Sequence, residues 1–136
     1  MDKRISSGTS VPSYFTASCK TNFATVGQAI PFTTMLTESN SGFDPAKGTM
    51  TTKISGLYFF TVSVMKASGS TTRIFLMHNH TKIGQALSNT ARYGMLTLSA
   101  TIPMKANDKV WIQLGQGSIG DSQTYGLFTG VKLSNI

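Results

Sequence analysis

Two histidines flank an asparagine in the segment His78-Asn79-His80. On a regular strand, imidazoles at positions i and i+2 share a face and could bind a metal ion. No third ligand lies nearby in the sequence, so we expect a short polar turn between two strands rather than a metal centre. The same residues begin a glycosylation sequon, Asn79-His80-Thr81, which predicts a glycan acceptor at Asn79 if the chain is secreted.

A second motif, Gly115-x-Gly117-x-x-Gly120, has the glycine spacing of a dinucleotide-binding turn. That turn needs a helix N-terminus for the pyrophosphate and an acidic residue about 20 positions further on. Here the glycines lead into another strand-like segment, and the chain ends at Ile136. We therefore expect a flexible loop between the last two strands.

The sequence does not support a hydrolase. The five acidic residues are scattered, and neither the nucleophile motif G-x-S-x-G nor the zinc-binding motif H-E-x-x-H occurs. The chain is not expected to be an enzyme. Calcium prefers six or more oxygen ligands, and the loop before the last strand offers only Asp121 with Gln123 as a weak helper. We expect no cofactor; a calcium ion at this loop is the alternative that we do not favour.

The composition favours one all-β domain. The 136 residues are 40% hydrophobic and 12% charged, with many Thr, Ser and Gly residues that suit strands and turns. We expect a disordered arm over residues 1–12 and a globular domain over 13–136. The single cysteine, Cys19, is interpreted as a half-buried strand residue.

Short apolar runs alternate with turn residues along the whole domain, which is typical of a sandwich or barrel. In 57–66 and 95–102 the apolar residues recur at every second position, so each strand has one face for the core. Phe59 and Met65, on the other face of 57–66, suggest cover by a second sheet or a neighbouring subunit. The predicted strands are 13–20, 30–36, 50–54, 57–66, 72–78, 82–87, 95–102, 109–114 and 125–133.

Aromatic residues and glycines in the segment 32–60 carry a family signature, which resembles that of the complement C1q globular-head domain. Two later segments, 107–114 and 128–133, resemble its end pieces. Glu38, Met50 and Val62 depart from the pattern, and the extra methylene of Glu38 is expected to move its carboxylate away from a local turn bond. The signature residues, expected in the core, are Phe32, Phe43, Asp44, Gly48, Gly56, Tyr58, Phe60, Trp111, Phe128 and Gly130.

The resemblance implies a jelly-roll β-sandwich of two antiparallel sheets, assembled as a homotrimer. No Gly-X-Y repeat occurs in this sequence, so the resemblance is to stalkless members. Resemblance to these stalkless members implies an extracellular recognition module in innate immunity that binds acidic glycans or lipopolysaccharide. A structural or signalling trimer that engages a protein receptor or matrix is the alternative. Nucleic-acid binding is a third hypothesis that we do not favour, because no base-stacking barrel motif appears.

The formal net charge is +7, from 12 basic and 5 acidic residues. A positive surface attracts anionic partners, although singly spread basic residues are also typical of a solubilising surface. If a patch exists, we expect it in loops, with Arg92 and Tyr93 as first candidates and Lys47 and Lys105 as second. No apolar run approaches the roughly 20 residues needed to cross a bilayer. The singly spread basic residues are Lys20, Lys47, Lys53, Lys66, Arg73, Lys82, Arg92, Lys105, Lys109 and Lys132.

Overall fold

Ten strands build the chain in a computed structural model that describes residues 11–19, 22–67, 69–90, 93–120 and 126–136. Within those ranges no helix occurs. Most of the predicted arm, residues 1–10, lies outside the described residues. The strands are β1 (Tyr14–Ser18), β2 (Thr34–Ser39), β3 (Phe43–Asp44), β4 (Thr49–Thr51), β5 (Gly56–Met65), β6 (Thr72–His78), β7 (Thr81–Ser88), β8 (Met95–Met104), β9 (Lys109–Gln116) and β10 (Leu127–Ser134).

The strands form two five-stranded antiparallel sheets, which confirms the jelly-roll prediction. We call the first sheet, in the order β2-β1-β10-β5-β8, sheet 1. The second, in the order β3-β4-β9-β6-β7, is sheet 2. Residues buried in β5 alternate with half-buried ones along all ten positions, so its inner face packs in the core while its outer face remains available.

A cluster of phenylalanines joins the two sheets. Phe128 lies at its centre, with ring centroids 5.1 Å from Phe15, 5.4 Å from Phe32 and 5.8 Å from Phe43. Phe15 and Phe43 stack at 4.2 Å. A Cβ atom at Gly130 would lie 2.6 Å from the Phe15 ring, so only glycine lets β10 pass beneath it.

The predicted strands match the observed ones closely, with two differences. The run predicted over 30–36 becomes a strand only at Thr34, because Pro31 has no N–H to donate to a ladder. Ile30 still bonds to the carbonyl oxygen of Ile112 at 2.7 Å. The two-residue strand β3 was not predicted, since it is too short to show alternation. Tyr125, the expected start of the last strand, lies outside the described residues.

Glu38 does not behave as expected. Its Oε2 atom accepts hydrogen bonds of 2.9 Å from both the backbone N–H and the hydroxyl of Ser41. The longer side chain therefore reaches the turn that a shorter Asn or Asp would close. Those two bonds lower the pKa of Glu38, with smaller help from Lys53 and against a small desolvation effect.

Three further expectations need correction. The segment after β9 is not a flexible loop at Ile119, which is fully buried and bridges to Phe23 and Lys66. Cys19 is fully buried just beyond β1 rather than half-buried within a strand. Lys66 is not a surface residue: it is 0% exposed, and its Nζ atom donates to the carbonyl oxygen of Thr90.

Candidate functional site

The loop residues predicted to bind ligand do not form one site. Tyr93 is 62% exposed just before β8, whereas Lys105 follows the other end of that strand. A ten-residue strand spans about 30 Å, so these two side chains lie at opposite ends of the sandwich. Arg92 lies outside the described residues, as do Asp121 and Gln123.

Lys47 lies on a cavity of its own, in the turn between β3 and β4. The cavity has a volume of about 390 Å³. Its walls combine apolar surface with the side chain of Lys47, and the cavity is separate from Tyr93 and Lys105. The other lining residues are Phe23, Thr25, Gln28, Ala29, Pro31 and Ala46.

Sheet 1 presents an outer face without formal charge, which we call the uncharged face. The pairings of β5 with β8 and β10, and of β10 with β1, place its residues side by side. Among these described positions, the only ionisable side chain is Tyr14. The uncharged face consists of Tyr14, Thr16, Leu57, Phe59, Thr61, Ser63, Met65, Met95, Thr97, Ser99, Thr101, Pro103, Leu127, Thr129 and Val131.

The outer face of sheet 2 carries positive charge, unlike the uncharged face of sheet 1. Lys82 lies over the ring of Phe75, with Nζ 3.8 Å from the ring centroid, a cation–π contact. Arg73 donates from Nη1 to Gln85 Oε1 at 2.9 Å. Lys109 is exposed on the next strand. We call these outward residues of β6, β7 and β9 the basic face; no carboxylate lies among the outward positions of these three described strands.

Trp111 belongs to this outer face and not to the core where the family signature predicted it. It is half-buried, while its neighbours Val110 and Ile112 are fully buried on the opposite side of β9. Its Nε1 atom donates to Gln113 Oε1 at 3.2 Å. The out-of-phase position of Trp111 in the Val110, Ile112, Leu114 alternation was the sequence signal that could have shown this.

A second cavity lies beside Trp111, with a volume of about 330 Å³ and a lining of Asn79, His80, Asn107, Lys109 and Trp111. We call it the Trp111 pocket. The antiparallel pairing of His78 with Val110 sets the turn between β6 and β7 beside the turn between β8 and β9. Asn79 and His80 form the first turn, as predicted, and Asn79 Oδ1 accepts a 2.8 Å bond from the backbone N–H of Lys109.

Asp108 lies behind the Trp111 pocket and is held by several donors. Its Oδ2 atom lies 2.9 Å from His78 Nε2 and 3.0 Å from the backbone nitrogen of Lys105. Partial burial opposes ionisation, but hydrogen bonds from His78, the Lys105 amide and Asn79 outweigh it and lower the pKa of Asp108. The carboxylate therefore fixes both turns. No group of three or more metal-ligating side chains occurs among the described residues.

The remaining signature residues occupy the positions that the fold demands. Gly48 has a φ of 70°, and a Cβ atom there would lie 2.0 Å from the carbonyl oxygen of Ile30. Asp44 is exposed, not buried, and its Oδ1 atom accepts a bond from the Ala46 N–H at 3.1 Å. The Tyr58 hydroxyl lies 2.8 Å from both Ser13 Oγ and the Ile54 carbonyl oxygen.

The comparison with known protein families agrees with the jelly-roll fold described above. The family model described as "C1q domain" matches residues 14–133. The chain belongs to the C1q domain family. Members of this family are recognition or signalling proteins and not enzymes, in agreement with the scattered carboxylates of this C1q domain.

Relatives of this C1q domain include complement C1q tumor necrosis factor-related protein 3 from Mus musculus and from Homo sapiens. Each is 32% identical over 123 residues, which are 88% of this chain and 50% of the relative. The chain thus spans about half the length of these curated relatives. The collagen alpha-1(X) chain of Mus musculus is 30% identical over 104 residues, 75% of this chain and 15% of that one.

Solved structures share the fold of this C1q domain. The globular domain of zebrafish complement 1qA superimposes with a TM-score of 0.72 at 16% identity, covering 93% of this chain and 99% of that one. Murine APRIL at pH 5.0 gives a TM-score of 0.74 at 10% identity, covering 90% and 99%. GITRL from bushbaby gives 0.64 at 15% identity, covering 92% and 96%.

Proposed function

We propose that this C1q domain assembles as a homotrimer through the uncharged face and recognises anionic ligands with its remaining surface. The observation that carries the proposal is the segregation of charge between the sheets. A chain with a net charge of +7 keeps the outer face of four strands free of formal charge, whereas three cations lie on the basic face. Interface cores are depleted in charged residues in this way.

The uncharged face also has the composition that burial requires. Phe59, Met65 and Val131 supply apolar area, and Met95 is 43% exposed in the single subunit. An apolar patch of this kind on a lone sandwich is covered when copies associate. A closed ring about a three-fold axis places the same patch of each subunit at the centre.

The ligands proposed for the trimer are acidic glycans and lipopolysaccharide on microbial or host surfaces. Arg73, Lys82 and Lys109 supply positive charge, and the aromatic rings of Phe75 and Trp111 lie among them. Guanidinium and ammonium groups bind carboxylate, sulfate and phosphate. Three copies multiply weak single-site binding through avidity, which suits repetitive surfaces.

A panel of immobilised lipopolysaccharide, heparin and neutral polysaccharide tests the recognition function. We expect the anionic surfaces to retain the protein and the neutral one to release it, with binding that weakens as salt rises. The matched variant Arg73→Gln with Lys82→Gln should bind less well while its oligomeric mass stays unchanged. Equal binding by wild type and by denatured protein would reject recognition by the fold.

A trimer that binds a protein receptor or matrix is the second candidate. It is favoured by Ile83 and Leu87, which are 40% and 48% exposed on β7, the edge strand of sheet 2. An apolar contact of this kind would survive high salt, unlike the charge-driven one. Capture of one purified receptor ectodomain that persists in high salt, and is lost in Leu87→Ser, would support this candidate.

The extracellular location and the Asn79 glycan are part of the same proposal. No helix among the described residues is long and apolar enough to span a membrane. Asn79 lies in a turn where an attached glycan would project beside the Trp111 pocket. Mass spectrometry of protein secreted from a eukaryotic host should show a glycan at Asn79; an unmodified residue would remove this part of the proposal.

A further inference from the structure

We propose that the Trp111 pocket binds a single carboxylated sugar ring, such as a uronic acid unit. This assignment rests on the proposed recognition function, since it identifies the atoms that would contact the acidic glycan. The volume of the Trp111 pocket, about 330 Å³, is at the small end of the range for ligand sites. A pocket of this size suits one sugar ring and not an extended oligosaccharide.

The indole of Trp111 supplies the platform. It is half-buried on an otherwise polar rim, so one side of the ring is supported by the sheet and the rest borders the pocket. The bond from its Nε1 atom to Gln113 Oε1 at 3.2 Å fixes the orientation of the ring. Amphipathic aromatic rings of this kind pack against apolar surface while polar groups lie at their edges, as the C–H face of a sugar requires.

Side-chain amides surround that platform. Asn79 and Asn107 both have positive φ values, 55° and 74°, and each lies at a tight turn. The Oδ1 atom of Asn79 accepts the Lys109 N–H bond, which fixes this side chain in the wall of the pocket. The side-chain amide of Asn107 donates and accepts at once, which matches the hydroxyl groups of a sugar.

A positive charge at the pocket favours an acidic sugar over a neutral one. Lys109 lines the pocket and supplies an ammonium group, whose Nζ atom donates to Thr51 Oγ1 at 3.2 Å on the neighbouring strand β4. His80 forms a second nitrogen-bearing wall. The carboxylate of Asp108 accepts hydrogen bonds from His78 and the Lys105 amide and is not among the residues that line the pocket.

Tryptophan fluorescence tests the assignment directly, because Trp111 is the only tryptophan in the chain. The full chain, produced without glycans, is titrated with glucuronate and with glucose. We expect a saturable fluorescence change with glucuronate, and a midpoint at least tenfold higher for glucose. No saturable change with glucuronate up to about 50 mM, far above a weak millimolar affinity, would overturn the proposal.

Two variants and a matched control locate the binding. Asn107→Gly removes the amide while relieving the positive φ, and Lys109→Gln removes the ammonium group but keeps the backbone bond to Asn79. Each should raise the glucuronate midpoint at least tenfold. Asn40→Gly makes the same replacement at a φ of 51° in a different turn and should leave the midpoint unchanged. An unchanged midpoint in both Asn107→Gly and Lys109→Gln would overturn the assignment.

Failure of the pocket is distinguishable from failure of the recognition function. If wild type binds immobilised heparin but gives no glucuronate response, the trimer recognises polyanions elsewhere and the pocket assignment is wrong. If glucuronate saturates the fluorescence but no anionic surface retains the protein, the pocket stands and surface recognition is wrong. Equal midpoints for glucose and glucuronate would overturn the preference for an acid.

Discussion

The hydroxyl oxygens of Thr16 and Thr129 lie 3.0 Å apart on neighbouring strands of the uncharged face. The two polar side chains satisfy one another across the β1–β10 pairing. A face can be buried at low cost when its polar atoms already have partners. This pair therefore gives two hydroxyl groups of the uncharged face a partner before the face meets another subunit.

A charge placed at the centre of the uncharged face should prevent assembly. Thr61 is opposite Thr129 on one side and Ser99 on the other. Thr61→Lys would bury one unpaired ammonium group per subunit, at a cost of several kcal/mol each. We expect size-exclusion chromatography with light scattering to show a folded monomer.

Thr49→Lys is the matched control for that variant. Thr49 is also a half-buried strand threonine, but it lies on sheet 2 opposite Trp111. The same substitution there should leave the oligomeric mass unchanged. Assembly of Thr61→Lys at the wild-type mass would show that the interface lies elsewhere.

Substitutions at two glycines distinguish the cost of a positive φ from the cost of a steric clash at Cβ. Gly27 and Gly48 both have positive φ values, 90° and 70°, yet a Cβ atom at Gly27 meets nothing within 4 Å. Gly27→Ala should cost about 1–3 kcal/mol of unfolding free energy from strain alone. Gly48→Ala adds the contact with the Ile30 carbonyl oxygen and should cost more than about 4 kcal/mol. Urea unfolding of the two variants measures the difference, and equal losses would contradict the collision.

Acid should destabilise the protein partly through Asp108. Hydrogen bonds in the folded state lower the pKa of Asp108 below its ordinary value of 3.8, despite the opposing effect of burial. As the pH falls through 3.8 the unfolded chain takes up a proton before the folded one does, so the stability from this group is lost as the pH falls towards the folded pKa. Wild type should therefore lose stability more steeply than Asp108→Asn in urea unfolding between about pH 5 and pH 2.5. Parallel curves would contradict the role given to this carboxylate.

Local signals in the sequence were sufficient to predict the strands and their core faces, and the resemblance to the C1q globular head supplied the jelly-roll arrangement. The alternation in β5 and β8 identifies core faces directly, and the glycine at 48 reflects a backbone position that no other residue fits without collision. Glu38 was misjudged because the length of a side chain says little about where its carboxylate ends. Only the position of Ser41 in the folded chain shows that the Glu38 carboxylate caps a turn.

The pocket could not be predicted because its residues come from distant segments. Asn79 and Asn107 are brought together by the register of β6 against β9, which pairs His78 with Val110. Register depends on long-range packing that a single sequence does not display. The ligand-binding role of the loop candidates stays a prediction: Tyr93 and Lys105 lie at opposite ends of β8, and Arg92 lies outside the described residues.

The most direct test of the central claim is the solution mass, measured by light scattering over a dilution series. Assembly through the uncharged face predicts three times 14.6 kDa, stable as the protein is diluted. A mass of 14.6 kDa at every concentration would contradict it, because the uncharged face would then be exposed to water in the working protein.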